Sequence, residues 1–206
     1  MIDCGEDWLG KLGPISPHAI FITHAHPDHA SGLKDGATCP VYATKEAWRG
    51  MADFSIAERK TIAPREPVEI GAIRIEAFPV IHSIRAPAVG YRVRTGRVAI
   101  FYVPDVVDVI DRAEALSGIN LYIGDGASLT RPLVRRKGEQ IFGHTTVRAQ
   151  LGWCRDAGLE RAIFTHCGSQ IVEGDQRAVE AIVRELGHER GIEARIAYDG
   201  LELVLR

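Results

Sequence analysis

Residues 24–29 read His-Ala-His-Pro-Asp-His, and this short segment constrains the chain more than any other feature. Three of the eight histidines in the sequence lie within it. Imidazole and carboxylate groups are ligands that Zn²⁺, Mn²⁺ and Fe²⁺ accept in proteins. His24 and His26, two positions apart on a loop, can bind one ion, and Asp28 and His29 can bind a second ion beside it. A solvated polar loop is the alternative, but such a concentration of histidine has no purpose in core packing. The segment therefore predicts a metal centre.

The segment follows an apolar run, Ala-Ile-Phe-Ile-Thr at 19–23, which predicts a buried strand that delivers the histidines on a loop. Several later apolar runs also end on a histidine or an aspartate. Together with His24 after the first run, the residues in these positions are His82, Asp105, Asp125 and His166. Because functional residues collect on loops that a rigid scaffold supports, we expect these strand ends to meet at one rim.

Three of these residues are candidates to complete the metal centre. His82 alone could be a hydrogen-bonded structural residue, but the cluster at 24–29 favours a ligand. Asp105 could cap a helix that starts near Val106, or its carboxylate could bridge two ions, and both interpretations stay open. His166 repeats the Thr-His ending of the first strand, which makes it the natural last ligand of the second ion.

Asp125 and His144 form a second candidate group. Asp125 lies in a Gly-Asp-Gly segment typical of tight turns, and His144 could lie at a helix N-terminus. A carboxylate that orients a histidine is also the arrangement that a general acid requires. Composition does not choose between these interpretations.

A basic run lies between these two residues. Arg135 and Arg136 are predicted to bind a substrate phosphate, together with Arg131 and Lys137, on a segment that folds over the site. A solvated loop is the equally weighted alternative.

Length and composition fit one soluble globular domain over residues 1–206. The chain is 46% hydrophobic and 25% charged, with a formal net charge of −2 and a pI of about 6.4, so no general basic surface for nucleic acid is evident. The four cysteines are scattered, which favours reduced thiols and a cytoplasmic location. No apolar run approaches the roughly 20 residues that span a bilayer, so no membrane partner is expected.

Strand patterns come in groups with helical patterns between them, which predicts sheets covered by helices. Helices are expected near 44–51, 145–157 and 175–186. Thr95-Gly96 predicts a hairpin turn, and Asp199-Gly200 predicts another between two closing strands, 194–198 and 201–205.

The motifs together resemble the metallo-β-lactamase superfamily. Residues 24–29 match its His-x-His-x-Asp-His signature, and Asp3-Cys4-Gly5-Glu6 looks like its early Asp-x-Gly. Gly143-His144-Thr145-Thr146, followed by Ala162-Ile163-Phe164-Thr165-His166, is similar to the phosphodiesterase branch. That branch includes the tRNA 3′-end endonuclease (tRNase Z) and the cyclic phosphate phosphodiesterase of phosphonate breakdown.

The resemblance implies an α+β fold, a four-layer αββα sandwich with two divalent metal ions, zinc or manganese, at one edge. One ion would be held by His24, His26 and His82, and the other by Asp28, His29 and His166, with Asp105 between them. Asp125 and His144 fall where the branch keeps its acidic residue and catalytic histidine. The chain lacks the strands that normally precede Asp3, so we expect an incomplete sheet and either an unstable isolated chain or a homodimer.

These features predict a metal-dependent hydrolase, with a small cyclic or nucleotide-like phosphodiester as the preferred substrate and a metal-bridging hydroxide as the nucleophile. The alternatives are an RNA-processing nuclease of the tRNase Z type, a lactonase or thioester hydrolase, and an inactive truncated domain that only binds metal. The segment between His29 and His82 has no long glycine-rich arm of the kind that the tRNA endonuclease uses, which weakens the RNA interpretation.

Overall fold

A computed structural model describes residues 1–205 of the chain. Within this range the structure consists of two β-sheets, a separate β-hairpin and the helices that cover the sheets. The strands are β1 (Ile20–Phe21), β2 (Val41–Ala43), β3 (Arg59–Thr61), β4 (Val68–Ile70), β5 (Ile73–Ile81), β6 (Ala88–Thr95), β7 (Val98–Tyr102), β8 (Asp108–Val109), β9 (Leu121–Asp125), β10 (Leu133–Lys137), β11 (Gln140–His144), β12 (Arg161–Thr165) and β13 (Glu193–Ile196). The helices are α1 (Pro27–Ala30), α2 (Lys45–Gly50), α3 (Arg112–Ala115), α4 (Val147–Asp156), α5 (Ser169–Val172) and α6 (Gln176–His188), with short 3₁₀ helices at Glu6–Trp8 and Ser31–Leu33.

The smaller sheet has the order β1-β2-β3, and its strands are parallel. The larger sheet has the order β13-β12-β9-β7-β6-β5-β4, with β8 paired to β5. Its strands β13, β12, β9 and β7 are parallel, whereas β4 to β7 form an antiparallel meander. Strands β10 and β11 pair only with each other among the described residues.

The apolar side chains separate into three cores, which define four layers. Alternate residues of a strand point to opposite faces, so Phe21 and Tyr91 pack between the two sheets. Ile20 points the other way, toward the layer that contains α2. Phe78 lies on the far face of the larger sheet, in the core that includes Leu151 of α4 and other residues of α4 and α6. The fold is therefore a four-layer αββα sandwich, as the resemblance implied.

The three helices predicted near 44–51, 145–157 and 175–186 are confirmed, and each begins at a residue whose side chain caps it. Thr44, Thr146 and Asp175 each accept a hydrogen bond from a backbone N–H in the first turn of α2, α4 and α6 respectively. The hairpin at Thr95-Gly96 is also confirmed, because β6 and β7 pair in antiparallel register from Thr95 and Val98.

The predicted closing hairpin at Asp199-Gly200 is wrong. The backbone does turn there, since the Leu201 N–H donates to the Tyr198 carbonyl at 3.0 Å and Gly200 has a φ of +82°. However, β13 ends at Ile196, and residues 197–205 form no strand. The residues Asp199 and Gly200 favour only a local reversal of the chain. A strand also needs a face that can be buried, and Val204 in the predicted strand 201–205 is 80% exposed.

No helix within residues 1–205 is both long and apolar enough to cross a lipid bilayer.

The Tyr91 side chain ties the two sheets together. It is fully buried on β6, and its hydroxyl donates to the carbonyl of Ile22 at 2.7 Å, just after β1. Its ring also packs edge-on against Phe21, with ring centroids 5.7 Å apart. This hydrogen bond therefore fixes the loop that leads directly to His24.

We expect Tyr91→Phe to lower the free energy of unfolding by about 1–3 kcal/mol, because the Ile22 carbonyl would lose its buried donor. Chemical denaturation followed by circular dichroism measures this loss. Tyr198→Phe is the matched control, since the Tyr198 side chain is 62% exposed and should change stability little. Equal stability of Tyr91→Phe and the parent protein would contradict the role assigned to this hydroxyl.

Candidate metal centre

The strand ends meet at one edge of the sandwich, as the sequence predicted. Strands β7, β9 and β12 are parallel neighbours, and β5 runs in the same direction because two antiparallel pairings separate it from β7. The residues at or just beyond the ends of these strands are His82, Asp105, Asp125 and His166. The loop after β1 brings residues 24–29 of the smaller sheet to the same edge.

A first group of four ligand atoms consists of His24 Nε2, His26 Nδ1, His82 Nε2 and Asp105 Oδ2. His24 Nε2 lies 2.9 Å from His26 Nδ1, and His82 Nε2 lies 3.4 Å from His26 Nδ1. Asp105 Oδ2 lies 3.4 Å from His24 Nε2 and 3.1 Å from His82 Nε2. Two ligands of one tetrahedral zinc ion are separated by roughly 3.3 Å, so these spacings fit a shared ion.

A second group consists of Asp28, His29 and His166. Asp28 Oδ2 lies 3.1 Å from His166 Nε2 and 3.5 Å from His29 Nε2. Asp105 joins this group as well, because its Oδ2 is 3.4 Å from His29 Nε2 and its Oδ1 is 2.9 Å from His166 Nδ1. Asp105 therefore lies between the two groups, and no helix begins beside it, so its alternative interpretation as a helix cap is wrong.

Three buried polar atoms at this point have no hydrogen-bond partner among the described residues. They are His29 Nε2, Asp105 Oδ1 and His166 Nδ1. The last two are only 2.9 Å apart, yet they are not oriented to hydrogen-bond to each other. Buried polar groups without partners are costly unless a ligand or an ion satisfies them. The donor set and its orphaned atoms thus fit bound divalent cations.

The pKa values show how the imidazoles and carboxylates of this cluster balance their charges. Burial lowers the pKa of His29, but the neighbouring carboxylates of Asp105, Asp28 and Asp3 raise it to about 12. Burial also lowers the pKa of His166, and its neighbouring carboxylates raise it to about 10. The pKa of His82 falls to about 3, mainly through burial. Cations would replace the protons on His29 and His166, so metal binding releases protons.

The backbone is strained at one of these ligands. His166 has a φ of +51°, in the left-handed region that non-glycine residues rarely adopt. Such conformations persist where the surrounding structure enforces them, frequently at functional sites. Here the turn directs the imidazole toward both Asp28 and Asp105.

Asp3 is a positioning residue that was not among the predicted ligands or catalytic residues. Its Oδ2 accepts from His29 Nδ1 at 2.8 Å, which leaves Nε2 of that ring for an ion. Its carboxylate also accepts from the Thr23 hydroxyl at 2.9 Å, and that hydroxyl in turn accepts from His24 Nδ1 at 3.0 Å. Asp3 thus orients one ligand in each group. The Asp-x-Gly motif was the sequence signal, but it did not reveal these partners.

Asp125 and His144 form the predicted pair beside the ligand groups. Asp125 is fully buried, and its Oδ2 lies 2.8 Å from His144 Nδ1. Its two oxygens also accept from the backbone N–H groups of Val106 and Ala127, each at 2.8 Å. Burial lowers the pKa of His144, but the hydrogen bond and charge of Asp125 outweigh this and raise the pKa above its usual value. The arrangement therefore favours the protonated form of His144 at the rim.

Gln150 of α4 holds the backbone of Asp125 and was not identified from the sequence. Its Oε1 accepts from the Asp125 N–H at 2.9 Å and from the Tyr122 hydroxyl at 2.9 Å. Its Nε2 donates to the Asp125 carbonyl at 2.7 Å. A buried glutamine inside an amphipathic helix gives no sequence signal of its partner, because the partner lies on a distant strand.

Three of the four residues of the basic run, Arg135, Arg136 and Lys137, lie on strand β10, and Arg131 precedes that strand. In the β10–β11 hairpin Arg135 faces Phe142 and Arg136 faces Ile141 across the strands. A cavity of about 550 Å³ beside the ligands is lined by Arg131 and Arg135, but Arg136 is absent from its lining. Consecutive strand residues point to opposite faces, so Arg135 lies on the side of the cavity, with Arg131 lining the same cavity, and Arg136 points away; phosphate binding by these residues stays a prediction.

Comparison with known proteins identifies relatives with this fold. The family model described as a β-lactamase superfamily domain matches residues 1–167. The ribonuclease Z of Methanopyrus kandleri is 30% identical over an alignment of 219 positions, which covers 83% of this chain and 77% of the relative. The metallo-β-lactamase fold protein YhfI from Bacillus subtilis has a TM-score of 0.74 at 17% identity, covering 97% of this chain and 84% of the other. A diphosphatase from the PhnP family has a TM-score of 0.69 at 23% identity, covering 98% of this chain and 77% of the other.

We expect Asp3→Asn to weaken binding of a divalent metal ion about 10- to 100-fold, because His29 and His24 would lose the carboxylate that orients them. Competition with a chromophoric chelator measures the affinity, and elemental analysis gives the occupancy. Asp53→Asn is the matched control, as Asp53 is exposed and distant in sequence from the motifs. Unchanged affinity in a folded Asp3→Asn protein would exclude this role.

Proposed function

This chain belongs to the metallo-β-lactamase superfamily and is a hydrolase of that fold, and from this premise we propose that it hydrolyses small cyclic or nucleotide-like phosphodiesters. The observation that carries the proposal is the Asp125–His144 pair, with its 2.8 Å contact, next to the two ligand groups. The His144 ring centroid lies 5.0 Å from that of His82 and 5.8 Å from that of His166. A proton donor at this distance can reach a group that is held at the ligands.

We propose that two divalent ions, zinc or manganese, bind this site. His24, His26 and His82 would hold one ion, and Asp28, His29 and His166 the other, with Asp105 shared. When bound, such ions activate water and neutralise charge on phosphoryl oxygens. Asp28 and His166 form the open side of the site, since their side chains are 55% and 29% exposed while His24 is fully buried.

His144 supplies the proton that the leaving group needs. Hydrolysis adds water to phosphorus and breaks the bond to the leaving oxygen, which takes a proton from the imidazole. Asp125 holds Nδ1–H of that ring and supports its positive charge, so that Nε2 carries the mobile proton. Alkoxides are poor leaving groups that need a proton, whereas thiolates leave readily without one, and this pair therefore favours phosphodiesters over thioesters.

Charge and size at the cavity agree with an anionic substrate. Arg131 and Arg135 line it together with His26, His82 and His144. Guanidinium groups bind phosphate oxygens by paired hydrogen bonds. A volume of about 550 Å³ lies in the range of small-molecule sites.

The second candidate is an RNA-processing nuclease, which the relative named ribonuclease Z favours. Between α1 and the end of β5, however, no stretch without a helix or strand is longer than residues 51–58. An assay with pre-tRNA distinguishes this candidate, since site-specific cleavage near the 3′ end with little turnover of small diesters would replace our proposal. Lactonase or thioester hydrolase activity is the third candidate, and neutral esters test it.

All four cysteines are free in the structure. This agrees with the reducing cytoplasm, which we propose as the location of the protein.

We expect the metal-loaded protein to hydrolyse phosphodiesters in preference to neutral esters, and His144→Ala to lower kcat about 10²- to 10⁴-fold for diesters with alkyl leaving groups. Bis(p-nitrophenyl) phosphate should be less affected, because p-nitrophenolate leaves readily without a proton. Steady-state kinetics measure both effects, and elemental analysis checks that the variant keeps its metal.

His188→Ala is the control for this experiment, since His188 lies at the end of α6, outside the ligand groups. Equal losses for alkyl and aryl diesters would contradict proton donation by His144. Full metal occupancy without turnover of any ester would favour the inactive metal-binding alternative.

The raised pKa of His144 predicts the pH dependence of kcat. A general acid must be protonated, so activity should fall as pH rises through the pKa of His144. We expect Asp125→Asn to move this alkaline limb to lower pH, because it removes the charge that raises the pKa. A pH–rate profile with an alkyl diester tests this, with Asp156→Asn on the exposed surface as control. An alkaline limb that stays in place would exclude Asp125 as the cause.

A further inference from the structure

One face of the β10–β11 hairpin carries His144 and continues as a row of further side chains. Leu133 lies opposite His144, and Arg135 lies opposite Phe142. Cross-strand partners share a face, so all of them project on the same side as His144, whereas Arg136 projects on the other. Phe142 is two residues from His144, or about 7 Å along the strand.

This face is rigidly attached to the metal ligands. The Gly143 N–H donates to the His82 carbonyl at 2.8 Å, and His82 Nδ1 donates to the Gly143 carbonyl at 3.1 Å. Gly143 has a φ of +114°, and a Cβ there would lie 2.1 Å from the Leu133 carbonyl oxygen. Only glycine fits between Phe142 and His144, so the backbone that carries both side chains is held next to His82.

The chemistry of the face suits a planar aromatic group that carries a phosphate. Leu133 is 46% exposed, and with half-buried Phe142 it lines the same cavity as His82. Exposed apolar side chains that converge on a polar cavity indicate a ligand with an apolar part. Arg135 makes no ion pair within residues 1–205, so its guanidinium is available to stack on a ring or to bind phosphate.

We propose that this face binds the leaving group of the phosphodiester, an inference that rests on the proposed function. The leaving group bears a nucleobase or a similar planar ring. The donor to the leaving oxygen is His144, so the departing alcohol must lie against the face from which His144 projects. Phe142 is the next residue on that face and stacks on the ring. Arg135 covers the ring from the opposite strand or contacts its phosphate.

Dithymidine phosphate and two analogues, each with one thymine replaced by hydrogen, test this subsite. Chromatography of the products identifies which nucleoside leaves as the alcohol. We expect Phe142→Ala to raise KM for the intact dinucleotide roughly tenfold, the size of one base–aromatic stack. The effect should persist when the base on the retained side is missing, and it should vanish when the base on the leaving side is missing.

Matched variants make this result specific to the ring and to the face. Phe142→Leu keeps an apolar side chain and should still raise KM, whereas Phe142→Trp should keep the parent value. Arg135→Gln should raise KM for the dinucleotide, and Arg136→Gln, with the same change of charge on the opposite face, should not. Thermal unfolding and metal content check that each variant is folded and loaded.

Several outcomes would overturn the proposal. Equal effects of Phe142→Ala with and without the leaving-side base would exclude the subsite and leave the proposed function intact. The same holds if the protein cleaves bis(p-nitrophenyl) phosphate but none of the dinucleotides. Failure to hydrolyse any diester would contradict the proposed function itself, and this subsite with it.

Discussion

The buried carboxylate of Asp105 is the interaction on which the site depends. It is 3% exposed and lies within 3.4 Å of nitrogens from His24, His29, His82 and His166. An isolated buried carboxylate would be strongly disfavoured, and burial does act to raise its pKa. The surrounding imidazoles nevertheless hold that pKa well below its usual value. The charge is therefore stable only when the strand ends converge, which couples the fold to the site.

The strand ends converge because the strands that carry them run in the same direction. Parallel strands β7, β9 and β12 bring residues distant in sequence to one edge, and the smaller sheet adds residues 24–29 from the facing layer. Because the two sheets contribute different ligands, their relative position must be fixed closely. The Tyr91 hydrogen bond and the inter-sheet core around Phe21 provide that constraint.

Much of the site could be predicted from the sequence because its residues follow apolar runs. The concentration of histidines at 24–29 and the repeated strand endings identified residues that the structure brings together as candidate ligands, without any knowledge of contacts. Asp3 and Gln150 were missed in these roles because they act through other side chains or through backbone groups that only the tertiary structure brings near. The closing hairpin failed for a related reason: Asp199-Gly200 encodes a turn, but whether the next segment pairs depends on the sheet beside it.

In the β10–β11 hairpin, strand register and not composition determines which side chains face the site. In the sequence Arg135 and Arg136 are equivalent neighbours in a basic run, but in the structure the pairing with Phe142 and Ile141 separates them. A shift of β11 by one residue would turn Phe142 and His144 away from the candidate ligands and would remove Phe142 from its place opposite Arg135. The two hydrogen bonds between Gly143 and His82 oppose such a shift. The bonds that orient the imidazole of His82, a candidate metal ligand, therefore also fix which side chains of the hairpin face the site.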